Sequence, residues 1–352
     1  MTNQRLSPVR RAQKYALEAS AAAQPASKRR GRRRVLEAAV GFIITALVGY
    51  AFYQPNRATV LASVALWAPK VFSAPIEQDI GFATTSDGVR IAYATTGEGP
   101  PVLSVIGWAT HLEDGLNSPV YDLNGLLQMT SRRHFYLRFD GRGFGLSDRD
   151  VADFSLDGRV RDIEAVVDSA GLERFAIYAQ SAGGPAAIAY TARHPDRVSR
   201  LVLASAMASA SYIDGGSRGS FERVLNLVET DWQSGPVANL FVDVLFREAA
   251  DEVLREIFAE FLRRSSDGPA LAGFMRAQLE IDATGEASQI RVPTLVVHAR
   301  KDQVVTLEAG REIAAFIPGA RFEIVDGDHG DGTGNTVASR TRILEYLSEE
   351  TW

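Results

Sequence analysis

The sequence predicts an α/β domain, a mostly parallel sheet covered by helices on both faces, carried behind a single N-terminal transmembrane helix. Three observations lead there. Short apolar runs alternate with amphipathic stretches from about residue 78 to the end of the chain, the pattern of strands joined by crossover helices. A serine sits at the junction of one such run, Phe175-Ala176-Ile177-Tyr178-Ala179, and a helix-like stretch, Gly183–Tyr190. Near the N-terminus, Ala38 to Asn56 contains no charged residue.

Residues 1–34 carry ten Lys/Arg and one acid, Glu18, which leaves 28 Lys/Arg against 42 Asp/Glu in the remainder and a net charge of −5 overall. This basic, low-complexity tail is expected to be disordered. A transmembrane helix is expected over residues 35–56. The uncharged run is just long enough to span a hydrocarbon core at about 1.5 Å per residue. Tyr50, Phe52 and Tyr53 crowd one end as an aromatic belt, and the basic cluster Lys28–Arg34 flanks the other. The positive-inside rule then places the N-terminus in the cytoplasm and the folded domain across the membrane. The alternatives are a core helix packed on the domain, an export signal that is cleaved to leave a soluble protein, and a mitochondrial-type leader. Residues 57–77 read as a linker, residues 78–210 as the first part of the domain core, and residues 291–352 as its second part.

Within the core, Ser155–Ala170 is expected to form a helix. Ser155 can cap its N-terminus, Leu156, Val160, Ile163, Val167 and Ala170 fall on one face, and Gly171 supplies the residue that ends it. Between the strand ending near Ala204 and the strand at Thr294, roughly 90 residues intervene, too many for one crossover. Two amphipathic helices are expected there, one carrying Val237, Leu240, Phe241, Val244 and Leu245, the other Val253, Leu254, Ile257, Phe258, Phe261 and Leu262. Residues 211–290 therefore read as an inserted helical cap.

Ser181 lies on a sharp strand-to-helix turn, with Ala179 and Gly183 as the small residues two before and two after it. Gly is usual at the first of these positions, so the pattern is a variant of G-x-S-x-G. Two further strand ends carry the remaining chemistry. Lys301-Asp302 follows the apolar run that ends at His298, and Asp326-Gly327-Asp328-His329-Gly330 follows Arg321–Val325. A serine hydroxyl is a poor nucleophile at neutral pH. A histidine is needed to take its proton and a carboxylate to orient the imidazole. Ser181, Asp302 and His329 are the candidate catalytic residues, with Asp326 and Asp328 as rivals to Asp302.

The order Ser…Asp…His, each just beyond a strand, resembles the α/β-hydrolase superfamily of the serine–aspartate–histidine type. Asp140-Gly141-Arg142-Gly143-Phe144-Gly145-Leu146-Ser147 is similar to the Asp-x-Arg-Gly-x-Gly-x-Ser loop of that superfamily. Gly88–Tyr93, Asp162–Val167 and His194–Val198 resemble a bacterial subgroup whose hydrolase modules are attached to membrane or regulatory segments. The resemblance spans roughly residues 78–350. It implies an eight-stranded sheet, a helical cap over the site, and an oxyanion hole formed by the backbone N–H groups of Trp108 and Ala182. Where the family commonly has His-Gly after its third strand, this chain has Ile106-Gly107-Trp108. Asp140 and Arg142 are expected to brace the loop beneath the site.

The implied activity is a serine hydrolase acting through an acyl-enzyme, with a small carboxylic ester as substrate and the membrane, through residues 35–56, as the other partner. Lactone, amide or iminopeptide and carbon–carbon bond hydrolysis use the same triad, and a ligand-binding membrane receptor without turnover is the alternative from another class. Relatives that act on epoxides or haloalkanes have Asp in place of Ser181. With no cysteine in the chain, disulfides, thiolate metal sites and a cysteine nucleophile are excluded. The five histidines show no metal-ligand spacing, and neither metal nor cofactor is expected. Among the others, His111 is placed where it could reach the pocket, while His134, His194 and His298 read as structural. The basic tail lacks the aromatic interleaving of a nucleic-acid binder, and no nucleic acid is expected.

Overall fold

The computed structural model describes residues 76–117, 126–210, 215–234, 236–245, 252–330 and 336–349. The basic tail (1–34), the transmembrane segment (35–56) and nearly all of the linker (57–77) lie outside the described residues. Among the described residues no helix is long and apolar enough to cross a membrane.

Eight strands form one sheet: β1 (Asp79–Thr84), β2 (Arg90–Thr96), β3 (Pro101–Ile106), β4 (Phe135–Phe139), β5 (Phe175–Gln180), β6 (Val198–Ala204), β7 (Thr294–Ala299) and β8 (Arg321–Val325). Their spatial order is β1-β2-β4-β3-β5-β6-β7-β8. β2 runs antiparallel to both its neighbours, and the pairs from β4 to β8 are parallel. The central strands are buried on both faces, which is why they read as unbroken apolar runs. Their side chains alternate between two cores. Leu103, Ile177, Leu201 and Val296 enter the core on one face, and Val102, Tyr178, Val202 and Leu295 the core on the other.

The first of these cores is closed by α3 (Leu156–Ser169), α4 (Gly184–Arg193) and α10 (Leu307–Phe316), the second by α2 (Leu126–Ser131) and α11 (Val337–Ser348). A short α1 (Leu112–Asn117) precedes α2. The ends of α3 follow from its sequence. Ser155 Oγ accepts from Gly158 N at 3.1 Å. At the other end Gly171 takes φ +66°, with Gly171 N donating to Asp168 O at 3.0 Å and Leu172 N to Val167 O at 2.9 Å. This paired closure satisfies carbonyls that a helix end leaves open.

Between β6 and β7 the chain forms α5 (Gly215–Asp231), α6 (Pro236–Leu245), α7 (Glu252–Ser265), α8 (Gly268–Glu280) and a single turn, α9 (Thr284–Ala287). α5 packs on α8 and α6 on α7. Their apolar faces, including Val228, Val237, Phe241, Phe258 and Leu262, make a third core together with Phe144, Phe154, Ala182, Met207 and Val305 of the body. The chain rejoins the body at Ile281, where Ala210 N donates to Ile281 O at 3.3 Å and Ala283 N to Ala208 O at 2.9 Å.

Polar groups hold this insertion to the body. Arg159 on α3 donates to Gln278 Oε1 at 2.5 Å and Phe274 O at 3.3 Å, and its guanidinium lies 3.9 Å from the centre of the Phe274 ring. Burial lowers its pKa to about 9, and the remaining hydrogen bond, to Phe154 O at 3.1 Å, leaves the charge well satisfied. Arg142 braces the turn after β4. It meets Asp162 at 2.9 Å, Asp87 at 2.9 Å and Asp153 O at 2.9 Å.

The hydrogen bond from Arg142 holds the Asp87 carboxyl well below the usual carboxylate range, with Thr85 and Arg161 adding to it against the effect of burial. A depressed carboxylate contributes stability that is present above its unfolded pKa and lost as pH falls below it. Asp87 is exposed to solvent that screens the pair, and Asp87→Asn is therefore expected to cost about 1 kcal/mol near neutrality. Thermal melts of the two proteins should converge as the pH is lowered from about 5 toward 2, and a gap that persists in acid would count against this pairing.

Candidate active site

The carboxyl ends of β3, β5, β6, β7 and β8 form one edge, where ligands bind in open parallel sheets. The backbone is strained there. Ala109 (φ +57°), Ser181 (φ +52°) and Ser205 (φ +42°), the non-glycine residues with positive φ among those described, follow β3, β5 and β6. Such conformations persist only where surrounding structure enforces them.

At Ser181 that structure is visible. Residues Ser181–Gly183 form one 3₁₀ turn between β5 and α4. Gly183 lies directly against Val105 O, with no room for a Cβ, and a Cβ on Gly107 would stand 2.5 Å from that of Ala182. Met207 N reaches Ser181 O at 3.4 Å from the loop after β6. Ala179, by contrast, is wholly buried in the core beneath the sheet and fits its methyl there. The close approach therefore falls after the serine, where the sequence does have glycine.

Ser181, His329 and Asp302 come together from three strand ends. His329 Nε2 lies 3.1 Å from Ser181 Oγ, and His329 Nδ1 2.8 Å from Asp302 Oδ2. A carboxylate can only accept, so Nδ1 carries the proton and the Nε2 lone pair faces the serine hydroxyl. Lys301 N donates to Gly327 O at 2.9 Å, which ties the loop of Asp302 to that of His329. Burial alone would raise the Asp302 pKa, but the His329 hydrogen bond and charge and the Val305 N–H hold it below the ordinary value. Its other oxygen accepts from Val304 N at 2.9 Å and Val305 N at 2.8 Å. The rivals point elsewhere: Asp326 pairs with Arg300 at the surface at 3.1 Å, and Asp328 accepts from Gly330 N at 3.1 Å.

Trp108 and Ala182 are neighbours across the Gly107 contact. The Trp108 ring meets Phe241 of α6 edge-on at 5.5 Å, and Phe241 meets Trp232 at the same distance. An aromatic wall thus joins the loop after β3 to the cap.

One histidine that reads as structural in the sequence stands beside this group. His298 is fully buried on β7, with Nε2 2.9 Å from Val305 O and 3.5 Å from Asp302 Oδ2. Burial lowers its pKa, so it is neutral and donates through Nε2 to the Val305 carbonyl, steadying the loop that presents Asp302. Four residues before Asp302, its position was the available signal. His111 pairs instead with Asp114, whose N donates to Nδ1 at 3.3 Å. His194 meets Glu164 at 2.9 Å and His134 is buried near α2.

A family model described as alpha/beta hydrolase fold matches residues 100–332. The AB hydrolase superfamily protein YisY of Bacillus subtilis (strain 168) is 27% identical over 238 residues, 66% of this chain and 85% of its own. A non-heme haloperoxidase of Rhodococcus erythropolis is 28% identical over 283 residues, covering 76% and 98%. The crystal structure of a hydrolase from Pseudomonas aeruginosa PA01 superposes with a TM-score of 0.65 at 26% identity, over 77% of this chain and 99% of that one.

Gly183→Ala is expected to force Val105 and the Ser181 turn apart, costing about 1–3 kcal/mol as overpacking. Denaturant melts check this; an unchanged midpoint would show that the turn has slack.

Proposed function

The chain belongs to the alpha/beta hydrolase fold family, and from that we propose that it is a serine hydrolase cleaving a small carboxylic ester through an acyl-enzyme. The observation that carries the reading is the continuous Ser181–His329–Asp302 hydrogen-bonded run. In the first half-reaction Ser181 Oγ attacks the ester carbonyl as its proton passes to His329 Nε2. Asp302 stabilises the imidazolium through Nδ1–H. The oxyanion is held by the N–H groups of Trp108 and Ala182. As the tetrahedral intermediate collapses, the C–O bond breaks and His329 returns the proton to the departing alcohol. Water, activated by the same imidazole, then releases the acid and restores Ser181.

An ester suits the surroundings. The apolar wall of Trp108 and Phe241 favours a substrate whose flanking groups are uncharged, and the triad supplies the one general base the reaction needs. Residues 35–56 are proposed to hold this domain at a membrane, with the N-terminus cytoplasmic; a reporter fused after residue 56 or 352 tests the orientation.

The full chain should hydrolyse short and medium p-nitrophenyl esters and react with a fluorophosphonate probe. Ser181→Ala should abolish labelling and lower kcat by on the order of 10⁵–10⁶, as removal of a serine nucleophile does. Equal labelling of Ser181→Ala, or an inert parent across esters and lactones, would remove the basis for the reading.

A further inference from the structure

Asp140, the first residue after β4, is wholly buried. One of its carboxyl oxygens, Oδ2, accepts from two backbone N–H groups in different loops, Leu112 at 3.1 Å and Leu146 at 2.9 Å. Leu112 closes the loop that opens with Gly107-Trp108. Leu146 belongs to the turn that carries the cap. There Gly145 N donates to Ser265 O at 2.7 Å and Ser266 Oγ to Gly143 O at 2.8 Å. A second strut runs alongside, with Arg264 Nε 2.9 Å from Asp114 Oδ2, between the end of α7 and α1. The loop of Trp108 is thus fastened to the α7–α8 corner of the cap, and Asp140 is the point where the two attachments meet.

We propose that Asp140 is a positioning residue for the oxyanion hole: through Oδ2 it sets the Trp108 loop in register with the cap corner, and an amide oxygen can do this in place of a carboxylate. The proposal rests on the oxyanion role given to Trp108 above. Its second half follows from the asymmetry of the carboxyl. Both backbone N–H groups end on Oδ2, none on Oδ1, and the residue borders a cavity of about 10 Å³ shared with Ser104, Thr110 and Arg138. A buried carboxylate with so few donors is costly when ionised. Burial pushes the Asp140 carboxyl up, against the opposing effect of the Leu146 and Leu112 N–H groups and the Thr110 hydroxyl. An asparagine places its carbonyl oxygen at Oδ2 and its NH₂ on the side of the Thr110 hydroxyl, which can accept.

The test uses the full chain and a p-nitrophenyl ester. Asp140→Ala should lower kcat about 10- to 100-fold, below the cost of deleting an oxyanion donor outright, with KM within about twofold. A trifluoromethyl ketone inhibitor, which forms a tetrahedral adduct, should weaken by a matching factor. Asp140→Asn should stay within about threefold of the parent in all three measurements. A variant that raises KM and spares kcat overturns the proposal. So does Asp140→Asn that falls as far as Asp140→Ala at an unchanged melting temperature. If Asp140→Ala does not fold, the Asp140→Asn arm decides alone: a loss beyond tenfold in kcat by a folded protein is fatal. A parent that neither labels nor turns over sinks the hydrolase reading with this one; an active parent with the wrong variants sinks this one only.

Discussion

The left-handed backbone at Ser181 is the constraint on which the rest of the structure depends. Holding a non-glycine residue at φ +52° costs on the order of 1–3 kcal/mol, and the chain meets that cost with a strand buried at the centre of the sheet. β5 lies between β3 and β6 in the sheet, so both neighbours press on the turn. Val105 O and Gly107 close one side, and the loop carrying Met207 closes the other. A serine raised in this way at the sheet edge is accessible to a second strand end, and His329 reaches it. The chain also turns through positive φ at Ala109 and Ser205, just beyond the two strands that flank β5.

Charge is distributed around that point by who can donate. Asp302 takes two backbone N–H groups on one oxygen and the imidazole on the other, so a buried carboxylate stays ionised where burial alone would neutralise it. His298 stands beside the same carboxylate as a neutral ring, because burial outweighs the pull of Asp302, and its proton goes to the Val305 carbonyl. Further from the serine, Arg142 and Arg159 are satisfied by carboxylates, carbonyls and an amide; Arg142 braces the turn after β4 and Arg159 fastens the cap.

Much of this was legible in the sequence because it is local. Arg321–Val325, the Ser155 cap and the Gly171 terminus depend on a handful of adjacent residues, and the apolar spacing in α6 and α7 marks both helices. The order Ser181, Asp302, His329 was legible as three strand ends, although their meeting is a property of the sheet order. What could not be read is long-range polar contact. Nothing near Arg159 announces Gln278, 119 residues away, and nothing near Asp114 announces Arg264. His298 reads as one more apolar-strand residue, because period-two alternation assigns it a face and says nothing of the carboxylate it will face.

On the proposed reading, reaction and selection fall to different parts of the chain. The groups proposed to move protons and bind an oxyanion sit on four strand ends of one sheet, where a misplacement of about 1 Å is enough to spoil the geometry. The cap meets them mainly through rings, Trp108 on Phe241 on Trp232, whose contacts tolerate sliding and repacking. It is nonetheless inserted between β6 and β7, the strands leading to Ser205 and Asp302, and pinned at Ser265–Ser266 and at Arg159. On that reading, a cap whose apolar face meets Ala182, Met207 and Val305 can change what it admits through swaps that keep its volume. Substrate preference in such a molecule follows from ring shape and depth, which composition does not encode, whereas the reaction type follows from donors and acceptors, which it does.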